Sequence, residues 1–403
     1  MKLVLYDVTH TSHCDVNSGI QRVVRRLARQ WPLQKQAEEV VLQPVVYDSY
    51  LKAWRLPDGR EKRLLDFEEC TKPGQKRGAS WTLWQRMRGR WSRRLGVKPK
   101  IFSGEAMAFI CPELFAGDKR RENFDLIKKQ WTFTAPKIAI FYDMIAIDMP
   151  EKMPAVVVSR YRDYLERLRE FDVVAAISKD SQERLLRYWR EQGQEKIPEV
   201  VAVPLGVDSV AGAECVPVER AGESLVLSVG TLEGRKNHVA LLEAGESLWK
   251  KGLQFRLRLI GMLNKETGSA AAGKIASLQA AGYPVEWWPD ADDKALFASY
   301  KECDFTVYPS LYEGFGLPVL ESLAHGRPCV CSGLSAMAEI VQGGGGCVAT
   351  GEPSADNIAR AMEMLLRDRV KIVILSQEAL SRKIRGWDDY ADDIRALVCT
   401  TPS

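Results

Sequence analysis

Short apolar runs alternate along this chain with longer stretches whose apolar positions recur every three or four residues, and the alternation occurs twice. Leu3–Tyr6, Val40–Val46, Ala108–Cys111, Ile138–Tyr142 and Val173–Ile177 read as buried strands in the first block, which closes with Val200–Asp208. Leu225–Val229, Arg256–Ile260, Val285–Trp288, Phe305–Tyr308 and Pro328–Cys331 read the same way in the second. Helical spacing fills most of the gaps, as in Ile20–Trp31, and strands alternating with helices predict parallel sheets with crossover helices. The pattern blurs between Ser49 and Lys100, which reads as an insertion. Residues 209–224 are small and polar with little periodicity, the mark of a linker. The expected organisation is therefore an α/β unit over 1–210 with an insertion at about 50–100 and a second over 211–385. A last helix over 386–403, following Arg385-Gly-Trp387, ends the chain. No internal repeat or low-complexity tract interrupts this plan.

Composition supports the picture and narrows it. A chain of 403 residues with 46% hydrophobic content has enough apolar side chain for more than one core. No apolar run approaches the roughly 20 residues that a membrane span needs. Met1-Lys-Leu-Val-Leu-Tyr6 reads as a first strand rather than a signal peptide. The nine cysteines show no Cys-x-x-Cys or metal-ligand spacing, and none of the four histidines is arranged for zinc, so reduced thiols are expected. The net charge is only +4, but from Thr71 to Lys100 there are ten Lys or Arg and no acid. Within that run Trp81–Leu95 predicts a helix with Trp84, Met87, Trp91 and Leu95 at helical spacing among arginines. Such a helix suits an anionic membrane surface. A basic helix packing its tryptophans onto its own domain is the alternative, and nucleic-acid binding, a third reading, lacks any accompanying motif.

The candidate chemistry concentrates in Ser310-Leu-Tyr-Glu313-Gly314-Phe315-Gly316-Leu317-Pro318-Val-Leu-Glu321. Two carboxylates stand eight positions apart around a glycine-rich turn that follows a strand, with Glu321 expected in the first turn of a helix. Glycines let backbone approach a ligand, and amides at a helix start favour a phosphate. Carboxylates accept from hydroxyls. Phosphate donors beside two hydroxyl-binding acids suit a nucleotide sugar. Upstream, Gly230-Thr-Leu-Glu-Gly-Arg235-Lys236-Asn-His238 sets a planar donor fork and a point charge beside each other after a strand, a clamp for a diphosphate.

The Glu313–Glu321 stretch resembles the E-x7-E motif of retaining glycosyltransferase family 4, whose GT-B fold sets two Rossmann-like domains facing across a cleft, with a C-terminal helix crossing back to the first. The resemblance implies donor-phosphate contacts from Gly230, Arg235, Lys236 and the backbone of Gly314, Phe315, Gly316 and Leu317. It implies ribose contacts from Glu321 and a sugar-side role for Glu313. Many members carry an Arg where Thr231 stands, which shifts load to Arg235. Asn17-Ser18-Gly19 matches the family's glycine loop, facing the diphosphate from the other domain. Tyr142-Asp143 stands where the family has His-Asp. Tyr142 and Asp143 are thus candidates for sugar or acceptor binding, with simple packing of Tyr142 the alternative. Asn264, Lys265, Trp287 and Trp288 fall near the expected base. Asp290-Ala-Asp292 echoes a metal-binding Asp-x-Asp but precedes a helix, where capping is the simpler role.

The implied enzyme is a retaining, metal-independent hexosyltransferase that needs no cofactor. The Thr231–Asn237 wording is similar to mannosyl- and rhamnosyltransferases of bacterial surface polysaccharide synthesis. That implies GDP-mannose or a GDP-deoxyhexose as donor and a lipid-linked glycan as acceptor, at the inner face of the cytoplasmic membrane. A UDP-sugar donor, a nucleotide-sugar epimerase and a noncatalytic scaffold of a polysaccharide assembly complex are the other readings. Gly343–Gly346 lacks dinucleotide-binding spacing.

Overall fold

The computed structural model describes residues 2–14, 17, 19–31, 40–66, 80–96, 104–115, 124, 127, 131–153, 155–208 and 223–399. Two compact units emerge: Met1–Leu205 together with Trp387–Ser403, and Gly206–Gly386.

In the first unit, strands β1 (Lys2–Asp7), β2 (Val40–Asp48), β3 (Ala53–Arg55), β5 (Ala108–Cys111), β7 (Lys137–Phe141), β8 (Val173–Ala176) and β9 (Glu199–Ala202) form one sheet. Their order is β3-β2-β1-β5-β7-β8-β9, parallel except for β3, while β4 (Gly104–Ala106) and β6 (Trp131–Phe133) pair separately. The inner strands are near-continuous apolar runs because helices cover both faces of a parallel sheet. Val4, Leu5 and Tyr6 are fully buried accordingly. β2 runs past the expected Val46 to Asp48 and turns back into β3 through Lys52, whose φ is 58°. Beside β1, α1 (Gly19–Gln30) packs against the terminal helix Trp387–Cys399, which buries Trp387, Tyr390, Ile394 and Val398. The insertion supplies β3, α2 (Gly59–Leu65) and α3 (Leu83–Arg94). The expected helix at Trp81–Leu95 is thus shorter at its start: Thr82 caps it, and Trp81 lies outside, stacked on His13 with ring centroids 3.9 Å apart. Lys72, Lys76, Arg77, Lys98 and Lys100 of the basic run lie outside the described residues.

The second unit has the sheet order β12-β11-β10-β13-β14-β15, all parallel. These strands are β10 (Ser224–Val229), β11 (Phe255–Ile260), β12 (Val285–Trp288), β13 (Phe305–Tyr308), β14 (Cys329–Cys331) and β15 (Cys347–Ala349). This is the doubly wound order in which the winding direction reverses between the first and fourth strands. Here the reversal falls between β10 and β13, the position at which sheets of this order bind their ligands. Leu241, Leu248, Leu257, Phe305, Val330 and Met362 belong to the core around this sheet. Cys329, Cys331 and Cys347 are among the free thiols. Among the described residues no helix is long and apolar enough to cross a membrane.

Candidate active site

Both strands at the switch point end in loops built to hold charge. β10 runs into Gly230, whose N–H donates to the Ile260 carbonyl at 2.9 Å. The neighbouring strand end is just as tight: a Cβ on Gly261, at φ 149°, would lie 2.1 Å from the Gly230 oxygen. Gly234–Lys236 then makes one 3-10 turn, and Asn237 adopts a left-handed conformation (φ 55°) before the helix α6 (His238–Lys250). Asn237 Nδ2 donates to the Pro353 carbonyl at 2.7 Å, which pins the turn from the side. After β13, the loop Pro309–Phe315 leads to Gly316 at φ 109° and then to α9 (Leu317–Ala324). A Cβ there would meet Ile340 Cδ1 at 3.0 Å, so the turn requires glycine for both reasons. Leu311 N–H donates to the Arg235 carbonyl at 2.9 Å and joins the two loops directly.

The join brings three of the sequence-predicted residues into one cluster. Glu313 Oε1 lies 2.6 Å from Lys236 Nζ and 3.0 Å from Arg235 Nη1. Arg235 also pairs with Glu233 at 2.7 Å and donates to the Tyr312 carbonyl. Lys236 donates to the Tyr308 hydroxyl and sits 4.7 Å from the centre of that ring. Lys236 and Glu313 are both buried. Burial opposes ionisation of Glu313, but Lys236 and then Arg235 outweigh it and hold the carboxyl down at about 2. Burial pulls Lys236 below its ordinary value while Glu313 opposes that shift. His238, at the start of α6, is buried, and burial together with Lys236 pushes it down to about 3, so its imidazole is neutral at physiological pH. Arg235 and Lys236 are therefore not solvated charges at a helix start. They form a cation pair facing one buried carboxylate, and a diphosphate would compete for the same donors.

Glu321 occupies a different environment. It is the fifth residue of α9, in the second turn and not the first, because the helix begins only after left-handed Gly316. The Tyr300 hydroxyl donates to Glu321 Oε2 at 3.2 Å. Burial and the neighbouring Glu321 raise Tyr300 well above its usual value, so it keeps the proton it donates. His325 stacks on Tyr300 at 4.8 Å and contacts the Glu321 carbonyl through Nδ1 at 2.8 Å. Trp287 Nε1 donates to the Gly261 carbonyl and Trp288 carries Arg258 on its ring face at 4.0 Å. Asp292 caps its helix by accepting from Ala295 N at 2.7 Å.

In the first unit the Tyr142 hydroxyl donates to the Pro112 carbonyl at 2.6 Å and is buried. Asp143 accepts from Ile145 N–H at 3.0 Å. Gly19 is the first residue of α1, and Asn17 accepts from Arg25 at 3.0 Å. Between β1 and β5, where this sheet reverses in turn, the buried Glu113 takes the N–H groups of His10 and Thr11 at 2.7 and 2.6 Å. Glu113, Tyr300, Tyr308 and Ser335 were not singled out from the sequence. Ser335 holds a positive φ of 51°, uncommon for a non-glycine residue, and its hydroxyl accepts from Glu313 N–H at 3.3 Å. Tyrosines at strand and helix ends read as core, and nothing local marks Glu113 or Ser335.

A doubly wound sheet with paired cations at its switch point has the place and the charge to take an anionic ligand. Residues 216–386 match the family described as glycosyl transferases group 1, and this unit is such a domain. The chain is 27% identical to the O-antigen chain mannosyltransferase B of Escherichia coli over 62% of its own length and 67% of that protein's. It is 30% identical to the GDP-mannose-dependent alpha-(1-6)-phosphatidylinositol dimannoside mannosyltransferase of Mycobacterium tuberculosis (strain ATCC 25177 / H37Ra), over 41% of this chain and 43% of that one. Among solved structures, sucrose-phosphate synthase from Thermosynechococcus elongatus superposes with a TM-score of 0.67 at 17% identity, over 98% of both chains, a likeness of fold. The protein is a glycosyltransferase of the GT-B fold.

Proposed function

We propose that the protein is a retaining hexosyltransferase that moves mannose, or a related deoxyhexose, from a GDP-sugar to a lipid-linked glycan in bacterial surface polysaccharide synthesis. The observation that carries the reading is the Arg235–Lys236 pair joined to Glu313 at the β10/β13 switch point. Departure of the nucleotide builds negative charge on its diphosphate, and preorganised cations lower that barrier most when water is kept out. The two side chains fill that role without a metal ion, so no metal or other cofactor is invoked. Glu313, held ionised, favours the cationic sugar ring and takes its hydroxyls, while Glu321, oriented by Tyr300, takes the ribose. The buried, neutral His238 is a poor general base, which fits transfer in which the departing phosphate takes the acceptor's proton. The likeness to the two mannosyltransferases above supports mannose, and the mycobacterial one supports GDP.

The test is thermal stabilisation by GDP, UDP, ADP, TDP and CMP, with and without EDTA, since a ligand of the folded state raises the melting temperature by mass action. The expected result is a GDP-selective shift that EDTA leaves unchanged. A UDP-selective shift discards the donor, a shift that needs added Mn2+ discards the metal-free mechanism, and no shift with any nucleotide favours a noncatalytic scaffold. Product anomeric configuration, read by NMR, decides retention.

A further inference from the structure

α3 presents the face that a soluble helix ordinarily hides. At about 100° per residue, Trp84, Met87, Trp91 and Leu95 fall within an arc of roughly 80°. These four side chains are 64%, 51%, 65% and 73% exposed. Leu83, 74% exposed, extends the stripe. The opposite face is buried through polar and small residues. Gln85 donates to Asp58 Oδ2 and Glu61 Oε1, and a Cβ on Gly89 would come 2.8 Å from Tyr50 Cβ.

The mounting is firm. Thr82 and Gln85 form a capping box, and Asp58 and Glu61 form another at the head of α2. Glu61 pairs with Arg55 at 2.6 Å and His13 at 2.9 Å, and Arg55 pairs with Asp48 at 2.9 Å. His13 carries Trp81 on its ring and belongs to the connection between β1 and α1. A buried network tied by several charge-assisted hydrogen bonds favours one arrangement. The outward tryptophans therefore belong to a helix seated by design on its polar side, and packing them onto the unit's own core is not how α3 is held.

We propose that α3 is a docking surface for an anionic lipid bilayer, with Trp84, Met87, Trp91 and Leu95 entering the headgroup boundary. The charge around the stripe selects this occupant. Arg86, Arg90, Arg93 and Arg94 are exposed, Arg88 lies 4.7 Å over the Trp84 ring, and the helix contains no acid. Tryptophan and leucine flanked by arginine suit the interface of a negatively charged leaflet. A second copy of the chain fits poorly, because pairing this face with itself sets arginine stripes against each other. A nucleic acid would be met by an apolar stripe at the centre of the contact, where phosphate recognition needs cations. The surface lies wholly in the first unit and does not depend on the donor reading. It deepens the lipid-linked acceptor part of the proposed function by giving the enzyme a place on the bilayer that carries such an acceptor.

The experiment is co-sedimentation of the full chain with phosphatidylcholine vesicles, alone and mixed with phosphatidylglycerol. Binding to the mixed vesicles only is expected. Arg90→Gln/Arg93→Gln/Arg94→Gln should weaken it about 100-fold, at roughly tenfold or less per cation near the surface. Trp84→Ser/Trp91→Ser should abolish it while leaving the melting temperature unchanged, because neither side chain is in the core. Three results overturn the proposal: no sedimentation with either vesicle, binding indifferent to the tryptophan variant, or an oligonucleotide or second copy bound through this face in place of lipid. Because the readout involves no nucleotide, failure here is distinguishable from failure of the GDP shift.

Discussion

At the residue scale, the candidate site is built on one carboxylate shared by two cations. Removing Lys236 leaves Glu313 buried with Arg235 as its remaining cationic contact, and a buried charge stripped of a partner costs about 3–5 kcal/mol. Lys236→Ala should therefore lower both stability and turnover, with kcat falling about 10²–10³-fold through lost charge stabilisation. Lys236→Ala/Glu313→Ala should recover part of the melting temperature and none of the rate. Recovery of neither would mean that the pair is not coupled as the distances indicate. Glu321→Ala should act on KM for the donor, by about tenfold or more, since a hydrogen bond to a charged group is worth about 1.5–3 kcal/mol. His238 provides a test by pH. Its folded value is depressed to about 3, so it contributes stability that is complete above pH 6.5 and is lost as pH falls toward 3. Between pH 7 and pH 5 wild type should lose about 2 kcal/mol more than His238→Gln in urea unfolding, at about 1.4 kcal/mol per pH unit below 6.5. Glu313 does not confuse the comparison, because its contribution is lost only below its ordinary range, toward about 2.

At the scale of elements, the sequence announces strands by apolar runs and loops by glycine, and those signals found the elements that place the site. Val285–Trp288 and Phe305–Tyr308 coincide with their strands because both are rich in valine and aromatic residues and are followed directly by a proline. β15 escaped because it has three residues and follows a run of glycines, too short for any period to show. β3 escaped because it pairs by a hairpin inside an insertion whose charge obscures alternation. The cation loop and the Glu313 loop were legible one at a time. Their junction, Leu311 to Arg235, was not, since it joins backbone groups across the sheet and leaves no trace in residue type. α3 was legible as a helix, but which face it buries was settled by the capping boxes and Glu61, residues that amphipathic patterning ignores. Gly261 shows how tightly an element end can be set. Gly261→Ala places a methyl on the Gly230 oxygen in a backbone region that disfavours side chains, so the β10 and β11 ends must part. The expected outcome is a loss of several degrees in melting temperature together with weakened nucleotide binding. Gly273→Ala, in α7 (Ser269–Ala280), has open space around its Cβ and should be neutral or slightly stabilising.

For the whole molecule, the chain path makes the two units unequal. Gly206–Gly386 is continuous, has its own cores and joins its own ends, for Val207 pairs with Gly386 and donates to the Arg385 carbonyl at 3.1 Å. The first unit is split, because the helix Trp387–Cys399 reaches it only after the second unit has been made. That helix is structural: Arg395 donates to the Trp31 carbonyl at 2.7 Å, and Trp387, Tyr390, Ile394 and Val398 are buried. Burying Ile394 and Val398 alone contributes about 3–6 kcal/mol, a large share of the stability of a typical domain. A chain ended at Gly386 should therefore keep a folded second unit while the first unit melts early or fails to fold. Hydrogen exchange reads this directly: amides of β10, β11 and β13 should stay protected as those of α1 and β1 lose protection. Equal loss in both units would mean that they fold as one cooperative body. Unchanged protection in both would mean that the terminal helix adds little. The expected asymmetry confines damage at the end of the chain to the unit that bears α3, and leaves the cation pair and its shared carboxylate assembled.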